Sequence, residues 1–158
     1  MEARDTILSG TSALVIDLLR SGRAVRFVAK GHSMVPAIRS GDQLTVVPLP
    51  LHEARIGDVL ACVVEGRLVV HRLVSRGGDG ACVLRGDTAS ACDPPLTSAH
   101  VLGVVTTVER AGRAVRLGLG CERRALVWLS RAGLLRAAAV VRERLRRGGA
   151  IDGPEMRG

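Results

Sequence analysis

Aromatic side chains are nearly absent from this chain of 158 residues, which has one phenylalanine, Phe27, one tryptophan, Trp128, and no tyrosine. Proteins that bind single-stranded nucleic acid stack bases on aromatic rings, and sites for quaternary ammonium groups surround the cation with them. The composition excludes both kinds of site. Hydrophobic residues still make up 47% of the chain, so one domain can form around a core of Val, Leu, Ala and Ile.

Cysteine pairs and long apolar runs are also lacking. The four cysteines form no Cys-x-x-Cys pair and no metal-type spacing with the four histidines. We therefore predict no metal and no cofactor, and we expect buried, reduced thiols in a reducing compartment. The longest uncharged stretch near the N-terminus, residues 6–16, ends at Asp17 and is too short to span a bilayer or to resemble a signal peptide. The sequence predicts a cytoplasmic protein without a transmembrane segment.

Turn residues divide the first two thirds of the chain into one helix and several short strands. The helix is predicted over residues 12–20, and Gly22, two residues after its last residue, is the stop signal. Gly66 separates two runs rich in β-branched residues and predicts a hairpin centred on Glu65–Gly66. Strands are predicted over residues 24–29, 43–47, 58–65, 67–75, 81–85, 100–109 and 114–117. Short strands at this spacing predict a mainly β fold, a small antiparallel sheet curled into a partial barrel.

Positive charge is concentrated at the C-terminus. Residues 1–108 hold 11 basic and 10 acidic side chains, whereas residues 109–158 hold 12 and 5. The sequence therefore predicts an N-terminal helix (1–22), a β domain (23–118), a basic helical segment (119–150) and a flexible tail (151–158).

Three interpretations of residues 121–147 remain open. The segment packs on the sheet with a solvated basic side, or lies on an anionic membrane as a peripheral contact, or binds nucleic acid. The last has the least support, because no helix-turn-helix, zinc module or aromatic platform accompanies it. Nucleic acid is therefore not an expected partner.

One serine lies in a turn that can expose its hydroxyl. Ser33 occurs in Gly31-His32-Ser33-Met34-Val35-Pro36, between a predicted strand and a proline. Such a turn can present a hydroxyl together with neighbouring backbone amides. Serine beside glycine and proline is, however, usually only part of a loop.

A serine nucleophile needs a base and an acid that orients the base. His71 lies in a predicted strand, on the face shared with Val69 and Leu73. A histidine on an apolar face is most often structural unless a serine and a carboxylate lie near it. The loop that follows the next strand supplies two carboxylates, Asp87 and Asp93.

Five motifs occur in a distinctive order. They are Ser-Met-x-Pro at 33–36, Gly-Asp at 41–42, Gly-Asp-Val at 57–59, Val-Val-His-Arg at 69–72, and Gly-Asp at 86–87 with a second Asp at 93. In this order the chain resembles the signal-peptidase side of the S24/S26 serine peptidases. It is most similar to the archaeal and endoplasmic-reticulum type, in which His replaces the Lys of the bacterial enzymes. The resemblance covers about residues 25–108.

The resemblance implies a LexA/signal peptidase fold and a serine endopeptidase that cuts a leader or signal-like peptide. Such a partner would be a peptide or protein with small residues near the cut, bound as an extended strand. Three features depart from the family pattern. Gly31 occupies a position where many signal peptidases carry a hydroxyl residue, the loop that begins at Gly86 reads Gly-Asp-Thr-Ala in place of Gly-Asp-Asn-Asn, and we expect no N-terminal membrane anchor.

The resemblance also implies residue roles. Ser33 would be the nucleophile and His71 the general base, with Asp93 orienting His71 and Asp87 supporting or replacing Asp93. Because Gly31 stands where many signal peptidases carry a hydroxyl residue, the oxyanion hole would consist of backbone N–H groups, chiefly that of Ser33 with those of His32 and Gly31.

Other functions remain open. Lys30, the single lysine, lies on the same incoming strand as Ser33 and is expected to be a solvated charge at the strand end rather than a base. A LexA-like regulator that cuts itself is one alternative, although only about thirty residues with one predicted helix precede Ser33, where a DNA-binding module and a cleavage segment would be needed. An inactive relative that only binds peptides is the other.

Overall fold

The computed structural model describes residues 9–78 and 80–116. Helix α1 (Ser9–Arg20) precedes seven strands: β1 (Val25–Val28), β2 (Gln43–Pro48), β3 (Val59–Val64), β4 (Arg67–Arg76), β5 (Cys82–Arg85), β6 (Val101–Arg110) and β7 (Arg113–Val115). Two single-turn 3₁₀ helices, Leu51–Glu53 and Ser98–His100, were not predicted. The mainly β fold with one N-terminal helix is confirmed. The predicted helix over 121–147 and the tail over 151–158 lie outside the described residues, and the domain boundaries stay a prediction.

The strands form one antiparallel sheet in the order β1-β2-β6-β3-β4-β5, with β7 also paired to β6. The central strand is β6, which contacts β2 along one edge and β3 and then β7 along the other. Within the described part of the chain β1 and β5 have one strand neighbour each. The sheet is therefore open, as a partial barrel is.

A close approach between two central strands requires a glycine. Gly103 of β6 pairs with Pro48 of β2 on one side and with Ala61 of β3 on the other. A Cβ atom at Gly103 would collide with the carbonyl oxygen of Val47. Because glycine lacks that atom, the two backbones can pass at this distance.

The two faces of the sheet bury separate cores. The larger core, which includes residues of α1, lies on one face, and the smaller core lies on the other. Residues of β3 alternate between them: Val59 and Ala61 belong to the larger core, Leu60 and Cys62 to the smaller one. This alternation is the period of two that a strand imposes on its side chains. Because residues paired across β3 and β4 lie on the same face, it also gives the face of each β4 residue.

The cysteines differ in their surroundings. Cys62 and Cys82 are buried free thiols in the smaller core, and burial raises the pKa of both. Cys92 is exposed, so the prediction of a buried thiol is wrong there, because its loop runs over the surface. Cys121 lies outside the described residues.

No described helix is long and apolar enough to cross a bilayer. Within residues 9–78 and 80–116 no group of three or more His, Cys, Asp or Glu side chains is arranged to hold a metal ion.

Candidate active site

Ser33 lies on the loop between β1 and β2, and backbone hydrogen bonds close that loop at its base. The Ala29 amide donates to the Asp42 carbonyl at 2.8 Å, and the Gly41 amide donates to the Ala29 carbonyl at 2.9 Å. Gly31 has a φ of 96°, a left-handed conformation that favours glycine. Met34, directly after Ser33, is buried in the larger core. Ser33 therefore sits on an anchored turn.

A buried carboxylate holds the far end of this loop. Asp42 accepts hydrogen bonds from the Arg39 amide at 2.8 Å and from Arg110 Nε and Nη2 at 2.8 and 2.6 Å. Burial alone would raise the pKa of Asp42, but the hydrogen bonds from Arg110 and Arg39 and their positive charge outweigh it, so the pKa lies below its usual value of 3.8. The loop that carries Ser33 is thus tied to the end of β6.

His71 lies in β4, where that strand has one free edge. Its Cα partner on β3 is Leu60, so the imidazole shares the face of the smaller core. The pairing of β4 with β5 begins at Arg72, so no described strand pairs with residues 68–71 on the edge away from β3. The alternation predicted from the sequence is found.

Ser33, His71 and Asp93 meet in one chain of hydrogen bonds. His71 Nε2 lies 3.1 Å from Ser33 Oγ, and His71 Nδ1 lies 2.6 Å from Asp93 Oδ2. Because an ionised carboxylate can only accept, Nδ1–H donates to Asp93, and the lone pair of Nε2 then faces the Ser33 hydroxyl. The His71 and Asp93 side chains are only 15% and 18% exposed. A neutral imidazole so placed can take the hydroxyl proton.

Asp87 has a different partner. Its carboxylate accepts from Arg72 Nε and Nη2, both at 2.7 Å, and both side chains are wholly buried. Arg72 Nη1 also donates to the Gly57 carbonyl at 2.8 Å. The carboxylate that contacts His71 is therefore that of Asp93, whereas Asp87, expected as its support or replacement, is bound to Arg72.

The loop after β5 also holds the backbone of Ser33. The Thr88 amide donates to the Ser33 carbonyl at 2.9 Å, and the Thr88 hydroxyl donates to the His32 and Ser33 carbonyls at 2.9 and 3.1 Å. Gly86 packs so closely that a Cβ atom there would lie 2.9 Å from Ser33 Cβ. No separate role was predicted for Gly86, Thr88 or Arg72. The signals in the sequence were the Gly-Asp motif for Gly86, the Val-Val-His-Arg motif for Arg72 and the change to Thr for Thr88.

The comparison with known families agrees with this geometry. The sequence matches the family described as Peptidase S24-like over residues 2–105. The chain belongs to this family. The predicted membership of the S24/S26 serine peptidase superfamily, with its LexA/signal peptidase-like fold, is confirmed, and it supports a peptidase or LexA-like function. None of the curated proteins matches the chain.

A cleft of about 610 Å³ opens beside Ser33 in this S24-like chain. Its lining includes Gly31, His32 and exposed Lys30 on one side and the free edge of β4 with the 88–94 loop on the other. Buried apolar side chains of the larger core form part of the lining, namely Phe27, Met34, Ile38, Leu44 and Leu68. The outer edge of β1, the edge away from β2, also has no strand paired to it among the described residues. The cleft thus lies beside the free edge of β4, is also lined by Phe27 of β1, and has the size of a ligand pocket.

Proposed function

We propose that this chain is a serine endopeptidase resembling signal peptidase I, which cleaves a leader or signal-like peptide by acyl transfer. The observation that carries the proposal is the chain of hydrogen bonds from Ser33 Oγ to His71 Nε2 at 3.1 Å and from His71 Nδ1 to Asp93 at 2.6 Å. Family membership supports the peptidase class.

The chemistry follows from these contacts. Ser33 Oγ attacks the scissile carbonyl carbon while its proton passes to His71 Nε2. His71 returns that proton to the amine as the C–N bond breaks, which leaves an acyl group on Ser33. A water molecule then attacks the acyl carbon with His71 again as base, which releases the acid and restores the hydroxyl. Asp93 keeps Nδ1 protonated and stabilises the imidazolium that forms between the steps.

The carbonyl oxygen carries negative charge in the tetrahedral intermediate and needs donors. The backbone N–H of Ser33 is the proposed donor, together with those of His32 and Gly31. All three residues line the cleft. Backbone donors in this position act without reorganisation during the reaction, which is why they stabilise the charge well.

The substrate fits the cleft as an extended segment. A peptide between β1 and the free edge of β4 could pair with either backbone, as in β-augmentation. The apolar lining next to Ser33 suits small, uncharged side chains near the cut.

Labelling with a fluorophosphonate probe tests the nucleophile. Wild-type protein should acquire one adduct that peptide mapping places on Ser33, and Ser33→Ala and His71→Ala should lose it. Ser40→Ala, at an exposed serine that does not line the cleft, is the control and should label as wild type does. Equal labelling of wild type and His71→Ala would contradict the mechanism, and absence of labelling in the wild type would favour an inactive peptide-binding relative.

A second candidate, a LexA-like protein that cuts itself, is favoured by the family description. Incubation of the purified chain, followed by intact mass, separates the two. Self-cleavage at a rate independent of protein concentration would support it, whereas an intact chain that cleaves added peptides supports the endopeptidase.

A further inference from the structure

We propose that Thr88 is a positioning residue that orients the backbone N–H of Ser33 toward the oxyanion. The inference rests on the function proposed above. It concerns a position at which this chain departs from the pattern quoted earlier, because the loop reads Gly-Asp-Thr-Ala in place of Gly-Asp-Asn-Asn.

The argument begins with the peptide bond between His32 and Ser33. Its carbonyl and its N–H belong to one planar unit and point in opposite directions when the bond is trans, as it is here. Any group that fixes the His32 carbonyl therefore also fixes the direction of the Ser33 N–H. The Thr88 hydroxyl donates to the His32 carbonyl at 2.9 Å and is such a group.

Thr88 holds the next carbonyl as well. Its amide donates to the Ser33 carbonyl at 2.9 Å, and its hydroxyl lies 3.1 Å from the same oxygen. The peptide units on both sides of the Ser33 Cα are thus held by one residue. This restricts rotation about the backbone bonds that aim both the hydroxyl and the N–H of Ser33.

Thr88 itself lies on an anchored loop. Asp87, its neighbour, is bound on two atoms to Arg72 inside the protein. On the other side the Ala89 amide donates to the Gly86 carbonyl at 3.1 Å and closes a tight turn. A donor held from both sides can impose its geometry on a partner, as supporting residues around catalytic groups do.

The variants isolate the hydroxyl. Thr88→Val keeps the shape and the amide but removes the O–H donor, and Thr88→Ser keeps the donor. Thr88→Ala removes the donor without adding a branched apolar side chain. It is used in place of Thr88→Val if the valine variant unfolds at a lower urea concentration than the wild type. Thr106→Val is the matched control, because the Thr106 hydroxyl also donates to a main-chain carbonyl, that of Thr45 at 3.3 Å, away from the cleft.

Two rates are measured on each folded variant: cleavage of a peptide substrate, as kcat and KM, and phosphonylation of Ser33 by a small fluorophosphonate that does not fill the cleft. We expect Thr88→Val to lower kcat and the phosphonylation rate by about 10²-fold with KM little changed, because misaligned groups lose about that much. Thr88→Ser should recover most of both rates, and Thr106→Val should match the wild type.

If the wild-type chain is active, three results would overturn the inference. An unchanged kcat in Thr88→Val would do so, as would a rise in KM alone, which would make Thr88 a substrate contact. The inference would also be overturned if Thr88→Ser did not restore kcat and the phosphonylation rate. A wild-type chain that neither labels nor cleaves overturns the proposed function, and this inference with it.

Discussion

The Arg72 guanidinium binds the Asp87 carboxylate through two parallel hydrogen bonds of 2.7 Å, and neither side chain has exposed surface. The pair joins β4 to the loop after β5. In the chain Arg72 directly follows His71, and Asp87 directly precedes Thr88. A structural ion pair therefore lies one residue away from two groups of the site.

Removing one partner of this pair should strongly destabilise the protein. Asp87→Asn leaves the Arg72 charge buried without a counter-charge, and we expect the free energy of unfolding to fall by about 3–5 kcal/mol in urea titration. The matched control is Glu109→Gln at the partly exposed pair with Arg26, which should cost at most about 1 kcal/mol. Equal losses in the two variants would contradict the prediction.

Asp93→Asn should abolish most of the activity without unfolding the protein. The amide cannot hold Nδ1–H of His71 as a carboxylate does, and the tautomer with Nε2 free to accept is lost. We expect kcat to fall about 10⁴-fold in a peptide cleavage assay. Asp17→Asn, at an exposed position of α1, is the control. Retention of a tenth of the wild-type kcat would remove Asp93 from the mechanism.

Asp42 should make stability depend on pH. Its pKa is lowered in the folded chain, so the unfolded chain takes up a proton first as the pH falls. The stabilisation is therefore complete above the usual carboxyl pKa of 3.8 and is lost as the pH falls through the lowered value. In urea titrations between about pH 7 and about pH 3, the difference between wild type and Asp42→Asn should be largest at neutral pH and shrink on acidification. A difference constant with pH would contradict this.

Gly86→Ala should impair catalysis by displacing the nucleophile. The added Cβ would lie 2.9 Å from both Ser33 Cβ and the Ser33 carbonyl oxygen, closer than real Cβ contacts. We expect kcat to fall about 10²-fold, since displacements of about 1 Å have effects of that size. Gly78→Ala is the control because a Cβ atom there meets nothing within 4 Å. Similar kcat values for the two variants would contradict this prediction, because they would show that the loop shifts to accommodate the added Cβ atom without displacing Ser33.

The strands could be predicted because their limits depend on local chemistry. The hairpin between β3 and β4 was placed at Glu65–Gly66, and both residues have positive φ, 49° and 75°. Such a turn matches the twist of the flanking strands, and β-branched runs on both sides leave few alternatives. The period of two along β4 then predicts the face on which His71 lies, which is that of the smaller core.

The supporting contacts could not be predicted in the same way. Asp87 and Asp93 lie in one loop, where no periodicity indicates which carboxylate turns toward His71. The burial of Arg72 depends on a carboxylate 15 residues later in the chain, and charged residues in strands are usually solvated. Thr88 contacts Ser33 across 55 residues of sequence. Such contacts arise from tertiary structure alone.

His71 and Arg72 are adjacent in β4 and point to opposite faces, so a slip of this strand by one position would exchange them. The charged guanidinium would then lie on the side of the cleft, and the imidazole would lie on the opposite face, away from Ser33. A chain assembled in that register would lack the contact between His71 Nε2 and Ser33 Oγ. Under the proposed function, peptide cleavage therefore requires the native pairing of β3 with β4.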